Sequence, residues 1–270
     1  MTHLYEPFQP LLTDSGLQRF SFKKRQYPVS AQLRGIVHSY LQVSTLEPSD
    51  YPIIPDGTQA LFVSQYGTLI SGGVTQALNL KLPAAGEYFG VRFYPGALRH
   101  LFRVDINEIG NCTVGGDFLP SPFVARLHEV IYQYSNFNSR AKICDQWLLR
   151  QLEQQPINAF DRALAVIYKS HGNINITQDL AAYVGVSSRH LSRIFQQHTG
   201  FSTKSFTQII RFQHASRYLS EQPENSLQVA LKTGYFDQSH LLKDFRVRLK
   251  DNLVPFFSRF MSDFYNRYPV

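Results

Sequence analysis

Cysteine is nearly absent from this 270-residue chain, which holds only Cys112 and Cys144. Two thiols build neither a disulfide framework nor a metal set, and they read as reduced, buried groups of an intracellular protein. Metal-ligand spacing is missing too. His38, His100 and His128 stand isolated, with no His-x-His or His-x-x-x-His among them, and neither cysteine has a neighbouring base in sequence. That weighs against a metal centre and nucleophilic catalysis, and no cofactor is expected. No apolar run approaches membrane-spanning length. The start, Met1 to Pro7, lacks a basic region followed by an apolar core, so no secretory signal is visible. The expectation is a soluble, cytoplasmic protein without a membrane partner. Acidic residues are scarce in one region only. Residues 1–155 carry 13 Lys+Arg against 12 Asp+Glu, whereas residues 156–270 carry 14 against 8. The net charge of +7 therefore sits mostly on the second part, as a polyanion-binding module requires.

What is present is a pattern written twice. One copy runs Thr177, Leu180, Ala181, Gly185, Ser187, His190, Leu191, Arg193, Phe195; the other runs Ser226, Val229, Ala230, Gly234, Asp237, His240, Leu241, Lys243, Phe245. The offset is 49 residues through Gly185/Gly234 and 50 from Ser187/Asp237 onward, so the second copy holds one extra turn residue. Each copy reads as a short helix, a glycine turn and a second helix, the signature of a helix-turn-helix. Ser187 and Asp237 are placed to cap the second helices, and Ser202 opens a connecting helix to about Ser220.

A DNA-reading helix needs an anchored face and a presented one. Leu191, Ile194 and Phe195 anchor the first copy, Leu241 and Phe245 the second, while Ala181 and Ala230 let the preceding helix approach closely. The presented face holds Arg189, Ser192 and Arg193 in one copy and Gln238, Ser239, Leu242 and Lys243 in the other. Arg grips guanine O6/N7 with two hydrogen bonds, Gln does the same on adenine, and Leu242 offers apolar contact to a thymine methyl. Thr177, Ser188, Lys204, Ser226 and Arg246 are candidate phosphate contacts. Arg189 and Arg193 also admit a plainer reading as solvated charge or phosphate clamps.

Residues 1 to about 120 are rich in Pro, Gly, Tyr and Phe and offer short β segments at Ile36–Val43, Gln59–Val63, Thr68–Ile70, Leu78–Leu82 and Tyr88–Phe93. The period then becomes helical over Pro122–Asn136 and Ser139–Gln154. That helical pair packs on the β domain or on a second subunit, and Ile143, Trp147, Leu148 and Leu152 are the dimerisation candidates. Gln154-Gln155-Pro156 marks the boundary. The expected fold is α+β: a β-rich domain over 1–155, a sandwich or a cupin-like β-barrel with helices at about 121–154, then an all-α domain over 156–270 that carries the two DNA-reading units.

These residues resemble the AraC-type transcription regulators. The match runs through Asp179-Leu180-Ala181, Gly185, Ser187-x-Arg189-x-Leu191-x-Arg193-x-Phe195, Gly200, Phe206, Arg211 and Ala215. It continues with Ala230, Gly234-Tyr235, Asp237-x-x-His240-x-x-Lys243-x-Phe245 and Pro255. Lys243 stands where that family usually has Arg, and Pro255 comes two residues later than its norm. The resemblance implies two helix-turn-helix units joined by a long helix, double-stranded promoter DNA and RNA polymerase as partners, and a bacterial, nucleoid-associated regulator, activator or repressor. It further implies a β-rich sensor domain that binds a small effector or dimerises. That part rests on Leu33, Val37, Tyr40, Ile54-Pro55-Asp56-Gly57, Gly72-Gly73 and Gly90 to Gly96. Tyr40 and Arg92 are its ligand candidates, with Arg92 placed rather to pair with the internal carboxylate Asp56. Two other classes stay open: a ligand-binding adaptor with a degenerate DNA module, and a cupin-like enzyme.

Overall fold

The structure, a computed structural model, describes residues 5–19, 21–152, 157–173, 177–221 and 226–250. The boundary peptide Gln154-Gln155-Pro156 and Pro255 lie outside the described residues. Eight strands come first: β1 (Lys23–Tyr27), β2 (Val37–Thr45), β3 (Ser49–Ile53), β4 (Gln59–Ser64), β5 (Gly67–Ser71), β6 (Leu78–Leu82), β7 (Gly86–Phe93) and β8 (Thr113–Gly115). Helix α1 (Asp14–Arg19) precedes them and α2 (Ala97–Phe102) falls between β7 and β8. The helices that follow are α3 (Pro122–Ala125), α4 (Leu127–Ile131), α5 (Phe137–Gln151), α6 (Ala159–Lys169), α7 (Thr177–Tyr183), α8 (Ser188–Thr199), α9 (Thr203–Glu221), α10 (Ser226–Lys232) and α11 (Gln238–Leu249). The molecule is α+β, an antiparallel sheet domain followed by a helical domain.

The sheet does not close into the expected barrel. Six antiparallel strands lie in the order β1-β2-β7-β4-β5-β8, and β3 pairs only with β6 in a second, two-stranded sheet. Two free edges remain. One is β1, whose exposed Lys23 and Arg25 keep it from templating another strand. Pro52 sits in β3, which has a partner on one side only, where a missing N–H costs nothing.

Alternation gives the large sheet two apolar faces. Tyr40, Leu61, Val63, Ile70, Phe89, Val91 and Phe93 point to the side covered by α2 and α5. Leu41 and Val43 point to the other side, where Leu11, Phe22, Tyr51 and Leu82 cover them. At Gly90, in register with Phe62 and Leu41, a Cβ would meet the Leu41 side chain at 3.4 Å, an ordinary van der Waals contact.

Two helical expectations are corrected. The single helix over Pro122–Asn136 is two short ones, broken where Arg126 leaves helical geometry at φ −104° and ψ 13°. Helix α5 starts earlier than expected because the Asn136 side chain caps it, accepting from the Ser139 amide at 2.9 Å. Its apolar stripe, which includes the dimerisation candidates, packs on the core of the chain's own sheet domain. Trp147 stacks on Phe123 and Phe102, with ring centroids at 4.6 and 5.7 Å. Leu148 is fully buried and Ile143 packs on the same core, while Leu152 closes the helix half-buried. Ala141 and Cys144 share this face and the same core.

In the helical domain α9 serves two cores. Phe206, Ile209 and Ile210 join a cluster with α6, α7 and α8, while Phe212, Ala215 and Leu219 join one with α10 and α11. Sheet-domain residues enter both: Tyr5 the first, Ile54 and Ala77 the second. Gln213 lies between them, fully used. Its Nε2 donates to Pro55 O at 2.7 Å, and its Oε1 accepts from the Phe8 amide at 2.7 Å.

Candidate nucleic-acid interface

The two copies of the repeat fold alike, down to individual hydrogen bonds. The Val186 amide donates to Ala181 O at 3.0 Å and the Tyr235 amide to Ala230 O at 2.9 Å, the same six-to-one closure of α7 and α10. Gly185 and Gly234 take the left-handed backbone this closure requires, at φ 76° and 81°. The next helix is then capped in each copy. The Ser187 hydroxyl accepts from the His190 amide at 3.2 Å, and the Asp237 carboxylate accepts from the His240 amide at 2.7 Å. Between the matched closures and the matched caps the second copy has one residue more, which makes Phe236 the insertion. It is 85% exposed.

Beneath α8 the anchors are Leu191 and Phe195, both fully buried, with Ile194 partly so; Leu241 and Phe245 do the same for α11. Ala181 and Ala230 are buried at the crossings. On the opposite side Arg189 and Arg193 are exposed and Ser192 half-buried, and in α11 Ser239 and Lys243 are exposed and Gln238 half-buried. Arg193 donates to His190 Nδ1 at 3.1 Å, which orients its guanidinium along the helix and leaves four N–H donors for other acceptors. Leu242 is a correction. It is 2% exposed, packed in the second core, and has no access to a thymine methyl. Helix α11 is held from the sheet domain as well, through Ala77 N donating to Arg248 O at 2.6 Å, so its buried stripe is wider than that of α8.

The weaker candidates divide. Lys204 and Arg246 are exposed and Ser188 is half-buried at the first turn of α8. The side chains of Thr177 and Ser226 lie outside the described residues. Tyr40 and Arg92 are both buried and engaged. The Tyr40 hydroxyl donates to Asp145 of α5 at 3.0 Å, and Arg92 pairs with Asp56. Asp56 is saturated: it also accepts from Gln9 Nε2 at 2.6 Å, the Thr58 amide at 2.9 Å and the Thr58 hydroxyl at 2.6 Å. Neither Tyr40 nor Arg92 lines the apolar cavity of about 250 Å3 between the two sheets, which is bounded by Leu41, Phe62, Thr68, Leu80, Leu82 and Tyr88 among others. Sequence reading missed Gln213 and Arg248 as the joints between the domains. The one signal for Gln213 was a polar side chain set among Ile209, Ile210, Phe212 and Ala215. Among the described residues no group of three or more His, Cys, Asp or Glu could hold a metal ion, and no helix is long and apolar enough to cross a membrane.

Comparison with known proteins agrees with this geometry. Residues 180–252 match the family of a helix-turn-helix domain, and residues 25–115 match a domain of unknown function, DUF6597. An uncharacterized HTH-type transcriptional regulator of Haemophilus influenzae is 30% identical over 104 residues, 38% of this chain and 34% of that protein. The HTH-type transcriptional regulator GlxA of Rhizobium meliloti is 28% identical over 152 residues, 51% of this chain and 46% of that protein. The chain thus matches less than half the length of either relative. Among solved structures, ToxT from Vibrio cholerae O395 aligns with a TM-score of 0.41 at 8% identity, covering 89% of this chain and 98% of that one. ToxT from the same strain bound to (E)-4-(8-methylnaphthalen-1-yl)but-3-enoic acid aligns with a TM-score of 0.43 at 10% identity, covering 88% and 99%.

Proposed function

We propose that this chain, whose C-terminal domain is a helix-turn-helix domain of the AraC type, is a sequence-specific DNA-binding transcription regulator. The supporting observation is the pair of like-built units. Each lifts a polar row, Arg189, half-buried Ser192 and Arg193 or half-buried Gln238, Ser239 and Lys243, off a buried anchor. Helix α9, 19 residues long, spans about 28 Å at 1.5 Å per residue. Two reading helices at its ends reach successive major-groove segments, about 34 Å apart, with modest bending of the duplex.

In this reading residues 1–155 sense and residues 156–270 read DNA, with Ser188, Lys204 and Arg246 on phosphates. The partners are promoter DNA and RNA polymerase, in the bacterial cytoplasm on the nucleoid. The apolar cavity is the place for a small effector. Its lining is mainly hydrocarbon and ring, with Ser64, Thr68 and Lys81 among its polar residues; Thr68 Oγ1 is buried with no hydrogen-bond partner among the described residues, which fits an apolar ligand carrying a polar group. The experiment is selection of bound sites from random genomic fragments, followed by affinity against salt. Enrichment of one motif with a steep fall in log affinity per log salt, about 0.9 per phosphate contacted, is expected. Retention of no motif at low salt would leave an adaptor with a degenerate DNA module.

A further inference from the structure

Phe236 holds a place in the second unit that the turn itself does not demand. The first unit passes from Gly185 to its cap Ser187 through Val186 alone, and the second passes from Gly234 to its cap Asp237 through Tyr235 and Phe236. Both turns close on the same hydrogen bond, from the Val186 or the Tyr235 amide, so the closure is complete without the additional residue. Tyr235 takes the inward position: it is buried, its hydroxyl donates to Asp244 at 2.7 Å, and the Arg211 guanidinium lies over its ring. Phe236 is left in solvent.

A single exposed apolar side chain is ordinary on a protein surface. What sets this one apart is the backbone that carries it. The Phe236 amide donates to His240 Nδ1 at 3.3 Å, while the next residue, Asp237, accepts from the His240 amide. An amide only donates, so Nδ1 is the acceptor and the imidazole proton sits on Nε2. In the first unit the equivalent acceptor, His190 Nδ1, receives Arg193. The same imidazole thus steadies Arg193 in one unit and the Phe236 peptide in the other.

Phe236 therefore stands fixed one residue before the cap of α11, at the end of the helix where Gln238 and Ser239 begin the polar row. That N-terminal end is the part of a reading helix that meets base edges. A benzyl group offers phosphate no donor. What it can cover in the major groove is the 5-methyl group of thymine, a contact phenylalanine makes there. With Leu242 turned into the core, Gln238, Ser239 and Lys243 leave the row of α11 polar, and Phe236 supplies an apolar group at its head.

We propose, resting on the DNA-binding role above, that Phe236 is a specificity-determining residue of the second unit and packs on the methyl group of one thymine beside the bases met by Gln238 and Ser239.

The test uses the full chain and the motif enriched from genomic fragments. Each thymine of the motif is replaced in turn by uracil, which deletes the methyl and keeps the pairing. One replacement is expected to weaken parental binding about three- to tenfold. Phe236→Ala is expected to lose a like amount on the thymine duplex and to be indifferent to that replacement, the two changes removing one contact. Phe236→Leu retains most of the affinity. Leu231→Ala, which removes another exposed apolar side chain of the same unit, is expected to bind as the parent does. Circular dichroism checks folding, and Phe236→Ser is the second variant should Phe236→Ala not fold. Undiminished binding by the folded variant, no uracil replacement that matters to the parent, losses that add between the two changes, or an equal loss in Leu231→Ala would each overturn the contact and leave the regulator reading standing. Failure of the parent to enrich any motif would overturn both.

Discussion

Arg92 and Asp56 form a buried ion pair where the sheet domain meets α9, with side chains only 11% and 5% exposed. The pair sits at the centre of a clasp. The Asp56 carbonyl accepts from the Tyr5 hydroxyl at 2.7 Å, Gln9 bridges Ile54 and Asp56, and the adjoining Pro55 carbonyl takes Gln213 of α9. Removing one partner leaves a charge with no water to replace it. Asp56→Ala is expected to cost about 3–5 kcal/mol in chemical denaturation, while Asp56→Ala combined with Arg92→Met regains part of that. Additive losses in the double variant would sink the idea that the cost is an orphaned charge.

In the proposed reading Arg193 reads a base and Lys204 holds a phosphate, and their variants separate the two roles. Arg193→Ala is expected to cost about 1–3 kcal/mol at one base position and to relax preference there. Lys204→Ala weakens all sequences alike and lowers the salt slope by about one contact. Competition binding over a library of single-base variants makes the measurement. Uniform weakening by Arg193→Ala would move that side chain to the phosphate class.

Which features were legible follows from how local their causes are. The strands of the large sheet's centre announced themselves by alternation and bounding turns, and the helix pairs by repetition. Strand β1, Lys-Lys-Arg-Gln-Tyr, was hidden because an edge strand is chosen for charge, and β3 because Pro52 argues against a strand unless its pairing is one-sided. The exposure of Arg189 and Arg193 was readable from the first unit alone. Leu242 was misplaced because its counterpart Ser192 is half-exposed; only the long-range packing of α11 near Ala77 turns that position inward. Trp147 was ambiguous for the same reason, since an apolar stripe does not say whose core it enters.

Neighbours in α11 should therefore behave oppositely. Leu242→Ala is expected to lower stability by about 2–5 kcal/mol through the cavity it leaves. Lys243→Ala should leave stability within about 0.5 kcal/mol and weaken DNA binding. Thermal denaturation and a binding titration of both variants decide it. A Leu242→Ala protein of parental stability would return that residue to the DNA face.

His214 of α9 stacks on His171, with centroids 4.1 Å apart, and lies beside Tyr218 and Arg217 in a hollow also lined by Tyr5 and Glu6. Burial first, then the like charges of His171 and Arg217, lower its pKa to about 4. An unfolded chain takes up this proton near pH 6.5 and the folded one only near 4, so the unfolded state binds more protons between those values. Its contribution is complete above about pH 6.5 and is lost as pH falls toward 4. Glu6 acts in the same sense at lower pH, because its hydrogen bond from His38 holds the carboxyl below its usual range. Partial exposure screens the size of both effects. Melting temperature against pH is expected to be flatter between 6.5 and 4 for His214→Phe than for the parent, and superimposable slopes would dismiss the assignment.

The two turn glycines carry the same backbone but different surroundings. Around Gly185 a Cβ would meet nothing within 4 Å, so Gly185→Ala costs only the left-handed conformation, about 1–2 kcal/mol. A Cβ at Gly234 would sit 2.5 Å from the carboxamide of Asn173, so Gly234→Ala costs that amount and a collision besides. A double-mutant cycle isolates the second contribution. Asn173→Ala is expected to remove the excess cost at Gly234 and to leave the cost at Gly185 unchanged, read by denaturant midpoints. Equal losses at the two glycines would mean that Asn173 yields freely. The second turn would then be held by the Tyr235 amide and by Arg211, whose guanidinium lies 4.6 Å over the Tyr235 ring.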